Sequence, residues 1–284
     1  MRSVIVMSMG KVSHMQVQPA GRLLQPVAGA PQLTAASCEL KREIEIIDEH
    51  AERRRIDIPT EHPLTIVVDG RELVTLMTLG ACPELLVLGF LHNQRLIDAV
   101  TQIESISVDW QSRTATVRMQ SGAQDFAAKA ARRAVTTGCG QGSVFGDLMS
   151  QVEAIRLPAP HAARIRQSTL YRLLETVRER DNLHRGTGSV HGCALFRGAE
   201  MLMFVEDVGR HNAMDTVTGW MTLHGVAGSD KILYSTGRLS GEMVMKAAQS
   251  GVPIVVSRNG VTAMGYDVAQ RLGMTLIGRA VKRR

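Results

Sequence analysis

The sequence predicts an α/β protein in which a smaller N-terminal α+β domain precedes a larger α/β domain. In the C-terminal half, short apolar segments alternate with amphipathic segments of helical period, as in sheets covered by helices. In the N-terminal half, two strand-turn-strand patterns surround a single helical pattern, and a glycine-rich stretch separates the halves. These three observations divide the chain into a mobile leader (1–36), a small α+β domain (37–135), a cysteine-bearing loop (136–150) and an α/β domain (151–284).

The small domain is predicted from two hairpins and a helix. Residues 62–79 carry two β-rich runs around Asp69-Gly70, a dipeptide suited to a tight hairpin turn. Pro83 suits the first turn of a helix that continues through "ELLVLGFLHN". The segment "ISVDWQSRTATVRMQ" alternates apolar and polar residues and predicts the second hairpin. The leader before it is rich in Gly, Pro, Ala and Gln and has no clear periodicity.

The larger domain is predicted to open with a helix and two strands. In "STLYRLLETVRER", apolar residues at helical spacing form one face, and Ser168 is the expected N-cap. The apolar positions of that face are Leu170, Leu173, Leu174 and Val177. Two strands, "SVHGCALF" and "EMLMFVED", follow and are joined across residues 197–199.

Regular alternation of helices and strands is predicted for the rest of the chain. The helical segments are "HNAMDTVTGWM", "SGEMVMKAAQS" and "TAMGYDVAQRLG", and the strand segments are "KILYST", "VPIVVS" and "TLIGRAV". Ser240 and Thr262 are expected N-caps, and Gly251 and Gly273 are expected helix ends. This alternation favours a largely parallel sheet, with ligands beyond the carboxyl ends of its strands.

Composition restricts the class of partner. The chain has 33 Lys and Arg against 27 Asp and Glu, a net charge of +6, which suits a phosphorylated or otherwise anionic ligand. Aromatic residues make up 4% and no basic stripe is visible, so we expect no nucleic-acid partner. No apolar run is long enough to cross a bilayer, and the N-terminus lacks a secretory signal pattern, so we expect a cytoplasmic protein without a membrane partner.

Three strand ends combine glycine, arginine and small polar residues just before a helix. They are "EDVGR" (206–210), "STGRLSGE" (235–242) and "SRNGVT" (257–262). Glycine lets a ligand approach the backbone, and a helix N-terminus offers N–H groups and partial positive charge. Arg210, Arg238 and Arg258 could each bind a phosphate with two hydrogen bonds. The alternative is that these arginines pair with Glu206, Asp207 and Glu242 at the surface.

The segment "EDVGRHNAMD" packs six polar or charged residues into the first of these strand ends. His211 and Asp215 are four positions apart and would share a helical face. Two interpretations are equally open: an internal hydrogen-bonded network that holds the junction, or direct participation in chemistry.

The four cysteines, Cys38, Cys82, Cys139 and Cys193, form no Cys-x-x-Cys pair. Cys139 lies in "TGCGQG", where glycines provide access and free N–H groups that could stabilise a thiolate; the alternative is an incidental loop thiol. Cys38 and Cys82 are expected to be inert, and Cys193 to be buried beside the sheet. His191-Gly192-Cys193 lacks the His-x-Glu and Pro-Cys-x-x-Cys pattern of zinc deaminases, so we expect no zinc site.

The motifs taken together resemble the formate dehydrogenase accessory sulfurtransferases of the FdhD/NarQ family. The resemblance runs from about Leu64 to the C-terminus and leaves out the leader. Its most specific part is "EDVGRHNA" followed by the Gly-Arg and Glu-Met-x-x-Lys pattern. The segments that carry it are "LGFL", "TGCG", "TGSVHGCAL", "EDVGRHNAMD", "STGRLSGEMVMKAAQSGVPIVVS" and "TLIGRA".

The resemblance implies a sulfur carrier. It implies that Cys139 receives persulfide sulfur from a cysteine desulfurase and delivers it to molybdenum bis(molybdopterin guanine dinucleotide) for use in formate dehydrogenase. It also implies a homodimer and a cytidine-deaminase-like mixed sheet with helices on both faces, without the deaminase zinc. The implied cofactor-binding stretch is Val256, Ser257, Arg258, Asn259, Gly260 and Val261, and we add Arg210, His211 and Arg238 from the strand-end argument.

The chain departs from the family pattern Cys-Gly-x-Cys, because Gly142 stands where the second cysteine would be. One persulfide needs only one thiol, so transfer stays chemically possible, while a step that uses a second thiol is put in doubt. Cys193 could replace the lost thiol if the loop folds over the sheet. Two other functions remain open: a module that binds and delivers the cofactor without carrying sulfur, and a metal-dependent nucleobase hydrolase.

Overall fold

The computed structural model describes residues 5–6, 24–120, 126, 152, 155–158, 163–180 and 187–281. The strands are β1 (Ile5–Val6), β2 (Gln32–Leu33), β3 (Lys41–Ile47), β4 (Arg53–Pro59), β5 (His62–Val68), β6 (Arg71–Thr78), β7 (Ile103–Asp109), β8 (Thr114–Met119), β9 (His191–Arg197), β10 (Glu200–Asp207), β11 (Lys231–Ser235), β12 (Ile254–Ser257) and β13 (Thr275–Ile277). The helices are α1 (Pro83–Asn93), α2 (Gln167–Arg180), α3 (Arg210–Leu223), α4 (Gly241–Gln249) and α5 (Ala263–Leu272), and a 3₁₀ turn covers Val100–Gln102.

The N-terminal part contains two sheets, of order β1-β3-β4 and β2-β7-β8-β5-β6. Both predicted hairpins are present: β5 pairs with β6, and β7 with β8, in antiparallel register. The first turn is left-handed at Asp69 (φ 47°) and Gly70 (φ 82°), as the Asp-Gly dipeptide requires. Helix α1 begins at Pro83 as expected and packs on the five-stranded sheet.

The expected mobile leader (1–36) needs a correction at its end. Gln32–Leu33 forms β2, which pairs in parallel with β7 at Ser105 and Ile106. Nearby, the Thr34 hydroxyl and the Ala36 amide both donate to one oxygen of Glu84 on α1. A two-residue strand carries no periodic signal, so its pairing depends on long-range contacts that the sequence pattern does not display.

The C-terminal part contains one five-stranded sheet of order β10-β9-β11-β12-β13. The largely parallel sheet predicted from the alternation is wrong: β9 runs antiparallel to both β10 and β11, while β11, β12 and β13 are parallel. The reason is the tight turn after Arg197, which folds β9 and β10 into a hairpin, and β9 then occupies the position between β10 and β11. The sheet is therefore mixed.

Helices cover both faces of this sheet. Successive residues of β9 point to opposite faces, so Cys193 and Leu195 pack with α3, α4 and α5, whereas Ala194 and Phe196 pack with α2. Helix α2 buries Leu173, Leu174 and Val177 as predicted, and Leu170 packs at the margin. Its first helical residue is Gln167, so Ser168 lies inside the helix and is not the N-cap.

Helices α1 and α3 join the two parts of the molecule through reciprocal glycine contacts. A Cβ atom added to Gly219 would lie 1.9 Å from the carbonyl oxygen of Leu85, and one added to Gly89 would lie 1.7 Å from that of Asp215. Only glycine permits this separation, since the obstructing atoms belong to backbone. None of the described helices is long and apolar enough to cross a bilayer.

Candidate functional site

The structure brings the three glycine- and arginine-containing strand ends together at one edge of the C-terminal sheet. Strands β10, β11 and β12 run in the same direction, so their carboxyl ends meet at that edge, where antiparallel β9 begins. Thr236 connects the loops. Its amide donates to the Gly192 carbonyl (2.9 Å), its hydroxyl accepts from the Gly192 amide (3.0 Å) and lies 3.3 Å from His191 Nδ1, and its carbonyl accepts from Asn259 Nδ2 (2.8 Å).

The predicted cofactor-binding stretch 256–261 divides into buried and accessible residues. Val256 and Ser257 are fully buried. The Ser257 hydroxyl donates to the Gly237 carbonyl (2.6 Å) and accepts from the Asn259 amide (2.9 Å), so it holds two loops together. The side chains of Val256 and Ser257 are enclosed by the sheet and its loops, and the assignment of residues 256–261 to cofactor binding stays a prediction.

Arg258, Asn259 and Val261 are exposed at the same edge, and Gly260 is half-buried. A Cβ atom at Gly260 would meet nothing within 4 Å, which leaves open space beside the backbone. The accessible part of the stretch is thus a short exposed turn, held by Ser257, which accepts from the Asn259 amide, and by the Asn259 side chain, which donates to the Thr236 carbonyl.

Arg210 and Arg238 come from the neighbouring loops. The Arg210 side chain lies across Gly237, where an added Cβ atom would be 2.7 Å from Arg210 Cδ. Its Nε is buried and has no hydrogen-bond partner among the described residues. Arg238 is exposed. Together with Arg258, these residues place three guanidinium groups on adjacent loops of one edge.

His211 lies in the first turn of α3, and its ring faces the first turn of α4. The residue is 7% exposed, and neither ring nitrogen has a hydrogen-bond partner within the described part of the chain. Nε2 is 3.6 Å from a carboxylate oxygen of Glu242. Burial lowers the pKa of His211 to about 3, with contributions from Lys246, Arg210 and His191. The ring is therefore neutral at physiological pH and offers one donor and one acceptor nitrogen.

Two helix N-termini at this edge lack side-chain caps. Helix α3 follows Gly209, which has no side chain to cap it, and α4 follows Ser240, whose hydroxyl makes no capping bond and is buried without a partner among the described residues. Ser240 therefore occupies the predicted N-cap position, but its side chain does not cap the helix. Thr262, by contrast, accepts from the Gly265 amide (3.2 Å) and caps α5 as predicted. Uncapped N-termini leave backbone N–H groups for an anionic ligand.

Three residues of "EDVGRHNAMD", namely Asp207, Asn212 and Asp215, belong to an internal hydrogen-bonded network, as the first interpretation expects. Asp207 accepts four hydrogen bonds, from the Thr78 hydroxyl (2.5 Å), the amides of Leu79 and Gly209, and Asn212 Nδ2. Burial nevertheless raises the pKa of Asp207 to about 6. Asn212 also donates to the Met77 carbonyl, and Asp215 forms a buried ion pair with Lys246. Because Asp207 uses its oxygens in this way, it is not the surface partner of an arginine.

Sequence reasoning missed two residues of this region. Thr236 bridges β9 and β12, and Lys246 pairs with Asp215. The spacing of Glu242 and Lys246, four positions apart like His211 and Asp215, is a signal that could have placed Lys246 beside Asp215.

Comparison with known proteins decides the family. The family model described as FdhD/NarQ family matches residues 59–284. The chain belongs to the FdhD/NarQ family. It is 31% identical over 222 residues to a sulfur carrier protein FdhD of Geobacillus kaustophilus, covering 78% of this chain and 84% of the relative. A Bacillus subtilis protein of the same name is 30% identical over 219 residues, covering 77% and 83%.

A solved structure of the same kind agrees with the fold. A crystal structure described as that of a formate dehydrogenase accessory protein from Desulfotalea psychrophila superposes with a TM-score of 0.64 at 25% identity. The match covers 86% of this chain and 94% of that one.

The cysteines of this FdhD/NarQ chain differ in accessibility. Cys193 is fully buried in the core, and burial raises the pKa of its thiol to about 12. Burial likewise raises the pKa of Cys82 to about 12 and that of Cys38 to about 11. Raised pKa values make all three poor nucleophiles at neutral pH, which disfavours Cys193 as a replacement thiol, and the predicted burial of Cys193 is confirmed. Cys139 and its loop (136–150) lie outside the described residues.

In the described ranges, no group of three or more His, Cys, Asp or Glu side chains is arranged to hold a metal ion.

The neutral, buried ring of His211 makes folding stability depend on pH. In the unfolded chain His211 takes up a proton below about pH 6.5, whereas the folded chain resists protonation until much lower pH, so stability is lost as pH falls. Between pH 7 and pH 5 this residue is expected to reduce the free energy of unfolding by about 2 kcal/mol. In His211→Gln that loss is expected to disappear. Urea unfolding of both proteins at pH 7 and pH 5 measures it.

The comparison with the variant is needed because Asp207 acts in the opposite direction. Its folded pKa of about 6 lies above the unfolded value of 3.8, so its contribution recovers as pH falls through the same window. That contribution is present in both proteins and cancels in the difference. An equal change with pH in wild type and His211→Gln would contradict the assignment.

Proposed function

We propose that this chain is a sulfur carrier for formate dehydrogenase, in which Cys139 accepts persulfide sulfur from a cysteine desulfurase. The observation that carries the proposal is that burial, complete for Cys193 and partial for Cys38 and Cys82, raises the pKa of these three thiols, and Cys139 is the remaining thiol of the chain. The FdhD/NarQ relatives are named sulfur carrier proteins, and the matched solved structure is described as a formate dehydrogenase accessory protein. The activity is therefore that of a sulfurtransferase.

The loading step is a thiolate exchange. The Cys139 thiolate attacks the outer sulfur of the desulfurase persulfide, forming a new S–S bond while the old S–S bond breaks. The desulfurase cysteine leaves as a thiolate, and Cys139 keeps the outer sulfur as a persulfide, so that no oxidant or reductant is consumed. A single thiol is sufficient for this step, and the replacement of the second loop cysteine by Gly142 does not prevent it.

The substrate we propose for delivery is molybdenum bis(molybdopterin guanine dinucleotide). Its diphosphate groups suit the uncapped N-termini of α3 and α4, and the guanidinium groups of Arg210, Arg238 and Arg258 provide positive charge on adjacent loops. The orphaned Nε of Arg210 and the ring nitrogens of His211 are further groups that a polar ligand would satisfy. Asn259, Gly260 and Val261 complete the accessible edge.

The finer architecture and assembly are part of the same proposal. The mixed sheet with α2 on one face and α3, α4 and α5 on the other supports a cytidine-deaminase-like domain. We further propose that the protein works as a homodimer in the cytoplasm.

Peptide mapping by mass spectrometry tests sulfur loading. After incubation with an active cysteine desulfurase and cysteine, the intact protein is expected to gain one reducible sulfur, about 32 Da, on Cys139. Cys139→Ser is the matched control and is expected to gain none. The buried thiol of Cys193 is expected to stay unmodified in both proteins.

Absence of sulfur on every cysteine would contradict the carrier function. It would favour the second candidate, a module that binds and delivers the guanine-dinucleotide cofactor without carrying sulfur. We call the edge formed by Arg210, Arg238 and residues 258–261 the strand-end site. Its accessible residues include no cysteine, and this observation supports the second candidate.

A further inference from the structure

Two side-chain pairs connect α3 and α4, one helical turn apart. The outer pair, at the helix N-termini, is His211 with Glu242 (3.6 Å), and the inner pair is Asp215 with Lys246. His211 and Asp215 are separated by four positions on α3, and Glu242 and Lys246 by four positions on α4. Residues at this spacing lie on the same face of a helix, so the inner pair lies directly behind the outer pair.

The inner pair is deeply buried and closely bonded. Asp215 is 0% exposed and Lys246 is 5% exposed. Lys246 Nζ donates to both carboxylate oxygens of Asp215, at 2.7 and 2.8 Å, and Asn93 Nδ2 on α1 donates to one of them at 2.7 Å. Charges removed from water to this extent are tolerated only when paired, so the relative position of α3 and α4 is tightly constrained here.

We propose that Asp215 and Lys246 form a positioning pair for His211: by joining α3 to α4 one helical turn behind the ring, they hold its imidazole beside Glu242 at the strand-end site, where a ligand would enter. The inference rests on the proposed function only in that the ligand is the guanine-dinucleotide cofactor. The ion pair joins α3 to α4 one helical turn deeper than the ring. It can therefore fix the relative position of the two helices without occupying the accessible edge. Asp215 and Lys246 are therefore positioning residues and do not contact the ligand.

The charge state of His211 follows from the groups that face it. Glu242 and Lys246 come from α4, His191 from β9, and Arg210 from α3 itself. The Glu242 carboxylate favours the protonated ring by its sign, whereas burial and the cation of Lys246 oppose protonation and lower the pKa of His211. With Lys246 removed, Glu242 would face the ring without that opposing charge, and the pKa of His211 would rise, although burial would still hold it below the ordinary value.

Histidine ring NMR of the full chain tests the proposal without any sulfur transfer. With ¹⁵N-labelled histidine and His211→Gln for assignment, the wild-type His211 ring is expected to remain neutral at pH 5. In Asp215→Asn/Lys246→Met, which removes both charges together, a titration is expected to show the pKa of His211 above its wild-type value, because the cation of Lys246 no longer opposes protonation while burial still does. Lys246→Arg keeps the cation and is expected to leave the ring neutral.

Two results would overturn the proposal. One is a wild-type His211 that titrates near pH 6.5, and this result is decisive even if the double variant does not fold. The other is a folded double variant, verified by its thermal midpoint, in which the pKa of His211 is the same as in the wild type. Neither result depends on whether Cys139 accepts sulfur, so failure of the proposed function is seen separately, in the mass of the desulfurase-treated protein.

Discussion

Gly219→Ala is expected to be among the most destabilising single substitutions in this chain. The new methyl group would lie 1.9 Å from the Leu85 carbonyl oxygen, a backbone atom that no rotamer change can move away. Alanine is the better helix former by about 1 kcal/mol, but this gain is smaller than the cost of separating two packed helices. We expect a loss of about 3 kcal/mol or more in the free energy of unfolding.

Thermal and urea unfolding of the purified variant measure this effect, and Gly260→Ala is the matched control. A Cβ atom at Gly260 meets nothing within 4 Å, so its unfolding midpoint is expected to stay close to that of the wild type. A Gly219→Ala protein with a wild-type midpoint would mean that α1 and α3 do not pack as closely as described. The effect should extend to the candidate site, because Asn93 on α1 bonds Asp215 next to this contact.

Cys139→Ala is expected to abolish the ability of this protein to support formate dehydrogenase activity. In a host strain that lacks its own FdhD protein, activity with the variant should fall to the level of the empty vector. The physical reason is that the other three thiols are shielded and, with pKa values of about 11 to 12, cannot take over as nucleophiles. Formate-dependent dye reduction in cell extracts measures the activity.

Cys38→Ala is the control for general loss of a thiol. Its sulfur makes only long contacts to the carbonyl oxygens of Leu79 and Gly80, both at 3.7 Å, so more than half of the activity should remain. Equal soluble amounts of the proteins must be verified by immunoblot. Full activity of Cys139→Ala would exclude the persulfide role and leave cofactor delivery as the function.

Local sequence patterns predicted the strand-end site only in part. Arg210, Arg238 and Arg258 were placed at strand ends before helices, and the structure puts all three on adjacent loops of one edge. The burial of the Val256 and Ser257 side chains was not predictable, because burial at the last residues of a strand depends on which loops cover it. The sequence pattern holds no information on that cover.

The strand order of the C-terminal sheet was also predicted only in part. The hairpin of β9 and β10 was expected from the turn after Arg197, yet the insertion of β9 between β10 and β11 was not. The residues of a turn determine only the pairing of the two strands that they connect. The order of strands in a sheet depends on which sheet faces are buried, and a local pattern does not show this.

The amino-acid sequence by itself determined the type and order of the α-helices and of strands β5 to β13, though not of β1 to β4, together with the family and the identity of the candidate sulfur-bearing cysteine. These properties follow from local periodicity, turn residues and contiguous motifs, each of which involves residues close together in the sequence. Only the tertiary structure decided that Lys246 lies behind His211 and that Gly89 and Gly219 face opposing backbones. Each of these depends on packing between segments far apart in sequence, and close packing is set by the three-dimensional shape of all the neighbours together.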